Sequence, residues 1–164
     1  MPDVFEVLSR DHREVEQMLS ALESGPTAAA GASPGELDER KRMAQALVVE
    51  ESRHQAAEQM LFWPIVRDRL PEGPWLAGQA AGQEREGKDV LDKLDKEDPG
   101  DPGFEALLGE FIVADRDHMA YEERQVWPKL RPALTAAEAS ELGVWFEQAR
   151  KVAPGGVSGS APAR

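Results

Sequence analysis

The sequence contains no cysteine, and that single absence removes several chemistries. No disulfide, thiolate metal site or chain-ligated iron–sulfur cluster can form. The absence suits a reducing compartment, and a cytoplasmic location is expected. Basic residues are scarce: 19 Lys and Arg stand against 31 Asp and Glu, for a net charge of −12. Nucleic acid and anionic membrane are poor partners for such a surface. No apolar run approaches the ~20 residues that cross a bilayer. The opening MPDVFEVLSRDH carries no basic-then-apolar targeting pattern, and no alternating stretch reads as a strand. Histidine occurs only three times, at His12, His54 and His118, and tyrosine only once, at Tyr121.

What is present is helical. With 164 residues, 41% of them hydrophobic, the chain suits one domain with a real core. The expected fold class is all-α: an antiparallel up-down four-helix bundle over residues 1–152 with an additional C-terminal helix, then a flexible tail at 153–164. A first helix spans 3–23, with Phe5, Leu8, Val15, Leu19 and Leu22 on one stripe and a capping box from Asp3 and Glu6. After a loop rich in Gly and Pro, Ser33-Pro34-Gly35-Glu36 opens a long helix over about 34–69. Its inward residues are expected to be Leu37, Ala44, Leu47, Val48, Leu61 and Ile65, and Pro64 should kink it or end its regular part. A glycine-weakened helix covers about 75–97 and a fourth about 104–131. A fifth, about 135–152, opens on Thr135 and Glu138 and is expected to bury Leu142, Trp145 and Phe146.

One unit occurs twice. His54, Glu58, Trp63 and Pro64 are matched by His118, Glu122, Trp127 and Pro128 at a constant offset of 64 (118 − 54), so both copies read H-x3-E-x4-WP. A His and a Glu four apart share one helix face. Placed on the apolar stripes, all three histidines point inward: His12 between Leu8 and Val15, His54 with Glu51 and Glu58, and His118 with Asp115 and Glu122. No Lys or Arg lies on these stripes to offset the inward carboxylates, whose desolvation is costly. A buried multivalent cation would resolve the imbalance.

Helix 3 has no histidine. One phase, 80, 84, 87, 91, 94, turns Glu84 inward; the other selects Gln83. Glu84 is preferred, because an anionic oxygen suits iron and an amide rarely does. Tyr121 could hydrogen-bond into the site, ligate ferric iron or pack against a neighbouring helix, and Glu123 could replace Glu122. Trp63 and Trp127 read as packing residues near the bundle end. The expected metal ligands are therefore His12, His54, Glu58, Glu84, His118 and Glu122. Glu51 and Asp115 are expected to orient the imidazoles. Imidazole plus carboxylate without thiolate suits two iron ions with an oxo or hydroxo bridge, with manganese or zinc as second choices.

These residues resemble the hemerythrin-like family, the HHE cation-binding domains. Asp11-His12, His54/Glu58 and His118 with Glu122 or Glu123 follow that family's order over about residues 3–132. The resemblance implies a non-haem di-iron protein that handles a small ligand such as O2, NO or peroxide. Family members usually place histidine where this chain has Glu84. That departure implies a carboxylate-richer shell, closer to peroxide-handling di-iron proteins than to oxygen carriers. A catalase-like or oxidase enzyme is the alternative, and a metal-free helical interaction module a second one.

Overall fold

The computed structural model describes residues 1–154, so all but the first two residues of the tail expected at 153–164 lie outside the described part. The described residues are helical, with no strand among them. The helices are α1 (Val4–Ser24), α2 (Pro34–Ala57), α3 (Trp63–Arg69), α4 (Gly73–Lys96), α5 (Pro102–Tyr121), α6 (Trp127–Leu130) and α7 (Ala136–Val152). Single π-helical turns, Glu58–Phe62 and Glu122–Val126, join α2 to α3 and α5 to α6. No described helix is long and apolar enough to cross a membrane.

The starts of three helices follow from local chemistry. The Asp3 carboxylate accepts from the Glu6 N–H at 2.9 Å, while Glu6 accepts from the Asp3 N–H at 2.8 Å. Ser33 with Glu36 and Thr135 with Glu138 make the same reciprocal pair at α2 and α7. Each satisfies two N–H groups that a helix start leaves unpartnered. The four long helices pack in the cyclic order α1, α2, α4, α5, each against two others, and α7 lies on α1 and α2. Gly143 permits that last approach, since a Cβ there would stand 2.7 Å from the Pro2 carbonyl oxygen. Arg40, buried and paired with Glu105 through two 2.8 Å bonds, ties α2 to α5.

The π turns revise the expected register. In an α-helix the Trp63 N–H would reach the residue four back; here it reaches the Glu58 carbonyl, five back. Trp127 reaches Glu122 in the same way. A proline follows each tryptophan and clashes with the carbonyl four residues earlier. The wider turn accommodates it, and the regular part of α2 stops at Ala57. The inward set then runs through Phe62, Trp63 and Val66, leaving Leu61 and Ile65 only half-buried. Leu37, one turn into α2, is also half-buried. Trp145 is a further correction. Helix α7 buries Ala139, Leu142, Gly143, Phe146 and Ala149, a stripe that turns Trp145 outward at 48% exposure.

The apolar interior is split. One cluster gathers Val4, Phe5, Leu8, Phe62, Val66, Leu76, Leu130 and Phe146; the other gathers Val15, Leu19, Leu47, Leu91, Leu94, Phe104 and Phe111. In α1, α2, α4 and α5 the residues between the two clusters are polar: His12, Glu51 with His54, Glu84, and Asp115 with His118. The bundle thus carries a polar layer across its middle, sealed on both sides by hydrocarbon.

Candidate metal centre

Two groups of donor atoms occupy that layer. His12, His54, Glu58 and Glu122 form one; Glu58, Glu84, His118 and Glu122 form the other, with the donor atoms of each group within 4.8 Å of one another. Glu58 and Glu122 belong to both, and all six residues are buried. Each of these two carboxylates is the first residue of a π turn. The six residues expected from the sequence as ligands are therefore brought together, with α4 in the phase that buries Ala80, Glu84, Gly87, Leu91 and Leu94.

The imidazoles are aimed. His12 Nε2 lies 3.1 Å and His118 Nε2 2.8 Å from Glu122, and His54 Nε2 lies 3.1 Å from Glu58. Each Nδ1 turns the other way onto an oxygen: Glu123 at 2.8 Å for His12, Asp11 at 3.2 Å for His54, Gln83 at 2.7 Å for His118. An Nδ1–H donating outward leaves the Nε2 lone pair facing the inner carboxylates. On the opposite wall Glu84 accepts from the Trp63 indole N–H at 3.1 Å and from the Gln59 amide at 2.9 Å.

Two expectations change here, those for Glu51 with Asp115 and for the tryptophans, and the choice left open for Tyr121 falls on contact with a neighbouring helix. Glu51 and Asp115 do not orient the imidazoles. They face each other instead, and burial raises the pKa of both, with the Asp115 charge adding to the rise at Glu51. Being offset by one turn from His54 and His118, they meet across the gap between α2 and α5. The Tyr121 hydroxyl donates to the Leu76 carbonyl at 2.9 Å, so it tethers a π turn to α4. Trp63 and Trp127 do more than pack: Trp63 anchors Glu84, and the Trp127 ring stacks on His12 with centroids 5.1 Å apart. Asp11 was legible in principle. Val4, Val7, Leu8, Asp11 and Val15 are all buried and mark a second inward row on α1, beside the first. Gln83 was weighed only as a ligand, whereas its half-buried amide holds one.

The electrostatics show a site short of positive charge. Burial pushes the Glu58 carboxyl up, and the neighbouring Glu122 charge adds to it, bringing the group to about 7. Glu122 moves the other way: burial opposes ionisation, but His118 and His12 facing it hold its pKa well below the usual carboxylate range. Burial lowers the affinity of His12 for a proton, yet the Glu122 and Glu123 carboxylates facing its two nitrogens outweigh it and raise the pKa to about 9. His118 rises likewise to about 10, with Glu122 as the chief cause opposing burial. Without cations, protons must hold the layer together.

The donor set fits metal cations on direct observation. Both oxygens of Glu58, both oxygens of Glu122, and Nε2 of His12 and His118 are buried, and although imidazoles and carboxylates face one another, none of these atoms makes a well-aligned hydrogen bond. Orphaned buried carboxylate oxygens are rare and expensive. A cation in each donor group would satisfy these atoms together, with oxygen and imidazole ligands of the kind iron, manganese and zinc accept.

A family model for the hemerythrin HHE cation-binding domain matches residues 3–130. A search of curated proteins returns no significant match. Among solved structures, the chain is similar to a hemerythrin HHE cation-binding-domain-containing protein from Mycobacterium kansasii, at 25% identity and a TM-score of 0.74, over 92% of this chain and 89% of that one. With a family match covering most of its length and a fold that carries the donor layer, the chain belongs to the hemerythrin-like family of HHE cation-binding domains.

Proposed function

We propose that the protein is a non-haem di-iron protein whose centre handles a small ligand of the O2, NO or peroxide class. The observation that carries this reading is the pair of four-residue donor groups sharing Glu58 and Glu122, whose buried carboxylate oxygens face imidazole nitrogens without a well-aligned hydrogen bond. His12, His54, Glu58 and Glu122 would hold one ion; His118, Glu84, Glu58 and Glu122 the other. In this reading the four long helices alternate in direction as an up-down bundle over about 1–152, with α7 as the additional helix. Iron would supply a redox-active Lewis acid with coordination positions left open for the small ligand.

The chain's own residues do the rest. Glu58 and Glu122, which belong to both donor groups, would contribute oxygens to both ions. Glu123, Asp11 and Gln83 hold the three imidazoles with Nε2 inward. Trp63 and Gln59 hold Glu84 against rotation. The hydrocarbon clusters above and below the layer lower the local dielectric and strengthen the electrostatic contacts inside.

Peroxide turnover is a second reading, favoured by the wall that carries Glu84 in place of an imidazole. The position of His118 then has three carboxylates and one nitrogen, a harder donor set that stabilises the oxidised metal. Anaerobically iron-loaded protein should change its visible spectrum on exposure to O2, NO or peroxide. Oxygen evolution from peroxide, lost in His54→Ala, would favour turnover over binding. A loaded protein that responds to none of the three ligands would sink the ligand-handling reading.

A further inference from the structure

We propose that Arg150, on α7, is a positioning residue for this metal centre. The inference rests on the di-metal reading above. Arg150 lies 20 residues (150 − 130) beyond the segment that the family model matches. Its Nη1 stands 3.3 Å from Asp11 Oδ1, and the other Asp11 oxygen lies 3.2 Å from His54 Nδ1. A continuous line of contacts therefore runs from the C-terminal helix through Asp11 to an imidazole whose Nε2 faces Glu58.

The three imidazole partners explain why one of them needs an arginine. Glu123, behind His12, has a side chain 46% exposed and is solvated. Gln83, behind His118, is neutral. Asp11 is an anion only 1% exposed, and a lone buried carboxylate is strongly disfavoured. Arg150 is the only Lys or Arg within 4.0 Å of Asp11 among the described residues. It is also steadied by Glu50 at 3.4 Å and Glu14 at 3.8 Å. With Arg150 in place, one Asp11 oxygen is anchored and the other is presented to Nδ1, which holds His54 in the ligating orientation.

The surroundings offer a specific test. Arg150, Asp11 and His54 line one end of an open groove of about 700 Å3 between α1 and α2. A guanidinium ion from solution could enter the space left by truncation of Arg150. A second contact between α7 and α1, Arg10 with Glu147, does not touch Asp11 and serves as the control for helix docking.

The experiment is cobalt(II) titration of the full chain against a competing chelator, for wild type, Arg150→Ala, Arg150→Gln, Arg150→Lys and Arg10→Ala. Loss of an outer partner of a metal-bound His typically weakens affinity about 10- to 100-fold. Arg150→Ala and Arg150→Gln should show that loss, Arg150→Lys should recover much of it, and added guanidinium should rescue the alanine variant. The exchangeable, metal-shifted Nδ1–H proton resonance of His54 in the cobalt protein should exchange faster in Arg150→Ala, while those of His12 and His118 stay put. Melting of the metal-free variants checks folding; if alanine unfolds the chain, the glutamine and lysine pair carries the comparison. Unchanged affinity in Arg150→Ala or Arg150→Gln, or an equal loss in Arg10→Ala, would overturn the role of Arg150. Wild type that binds no cobalt would overturn the metal centre itself and this inference with it, which keeps the two failures distinct.

Discussion

Removing metal from this protein should make its stability fall as pH rises, and the size of the effect can be worked from the site. His12 is raised from 6.5 to about 9 by contacts that favour its charged form over the cost of burial. A group whose folded pKa is raised contributes stability that is fully present below its unfolded pKa. That contribution is lost as pH climbs through the folded value. Two and a half units at 1.36 kcal/mol each come to about 3 kcal/mol for His12. His118, raised to about 10, acts in the same direction, but both bond to Glu122 and their contributions do not add. Glu58, lifted from 4.5 to about 7, loses stability mostly below pH 7 and adds little within the window of the two histidines. Against a typical stability of about 5–15 kcal/mol, a loss of about 3 kcal/mol between pH 6.5 and pH 9.5 is large. It corresponds to a melting point lower by roughly 6–12 °C for a domain of this size. With two cations bound, neutral imidazoles and ionised carboxylates are the required forms, so the loaded protein should hold its stability over the same window. Apparent metal affinity should accordingly rise with pH. Urea unfolding at pH 6.5, 8 and 9.5, with chelator and with metal, measures both curves. A metal-free protein equally stable across that range would refute the claim that protons stand in for the cations.

Other perturbations separate the roles assigned to individual residues. Glu58→Gln should abolish binding of both ions, because this carboxylate belongs to both donor groups; equilibrium dialysis retaining one ion at wild-type affinity would contradict the sharing. Trp63→Phe removes the indole N–H that Glu84 accepts at 3.1 Å and should weaken metal binding about 10-fold or more, beyond the stability lost to the smaller buried ring, as read by chelator competition alongside thermal melting of the metal-free chain. Gly143→Ala should destabilise the fold by about 1–3 kcal/mol in urea, since the added methyl would sit 2.7 Å from the Pro2 carbonyl oxygen and 2.9 Å from the Asp3 carbonyl carbon.

Much of this was legible in the sequence because the chain is strongly periodic and its polar residues interrupt that period at matched places. The stripes of α1 and α5 are buried at every position from Phe5 to Leu22 and from Phe104 to Val126 that the spacing selects. The three capping boxes fixed three helix starts within a residue or two. The errors have a common origin in single-helix reasoning. A fixed period cannot anticipate a π turn, so Leu61 and Ile65 were placed where Phe62 and Val66 are. A stripe one residue wide hides Asp11, which faces the seam between α1, α2 and α7. Partners across helices are set by how far side chains reach after packing. Hence Glu51 and Asp115 meet each other, while Asp11, Glu123 and Gln83 hold the imidazoles. Nothing local in α7 announces that Arg150 reaches the centre.

The most direct test of the central claim is the number of ferrous ions bound per folded chain after anaerobic loading and removal of excess metal, measured for wild type and Glu122→Gln together. The account predicts about two ions per wild-type chain, as the two donor groups require, and close to none in the variant, whose substitution removes a carboxylate common to both groups. A wild-type chain that retains less than one ion, or a variant that retains as much as wild type, would contradict it.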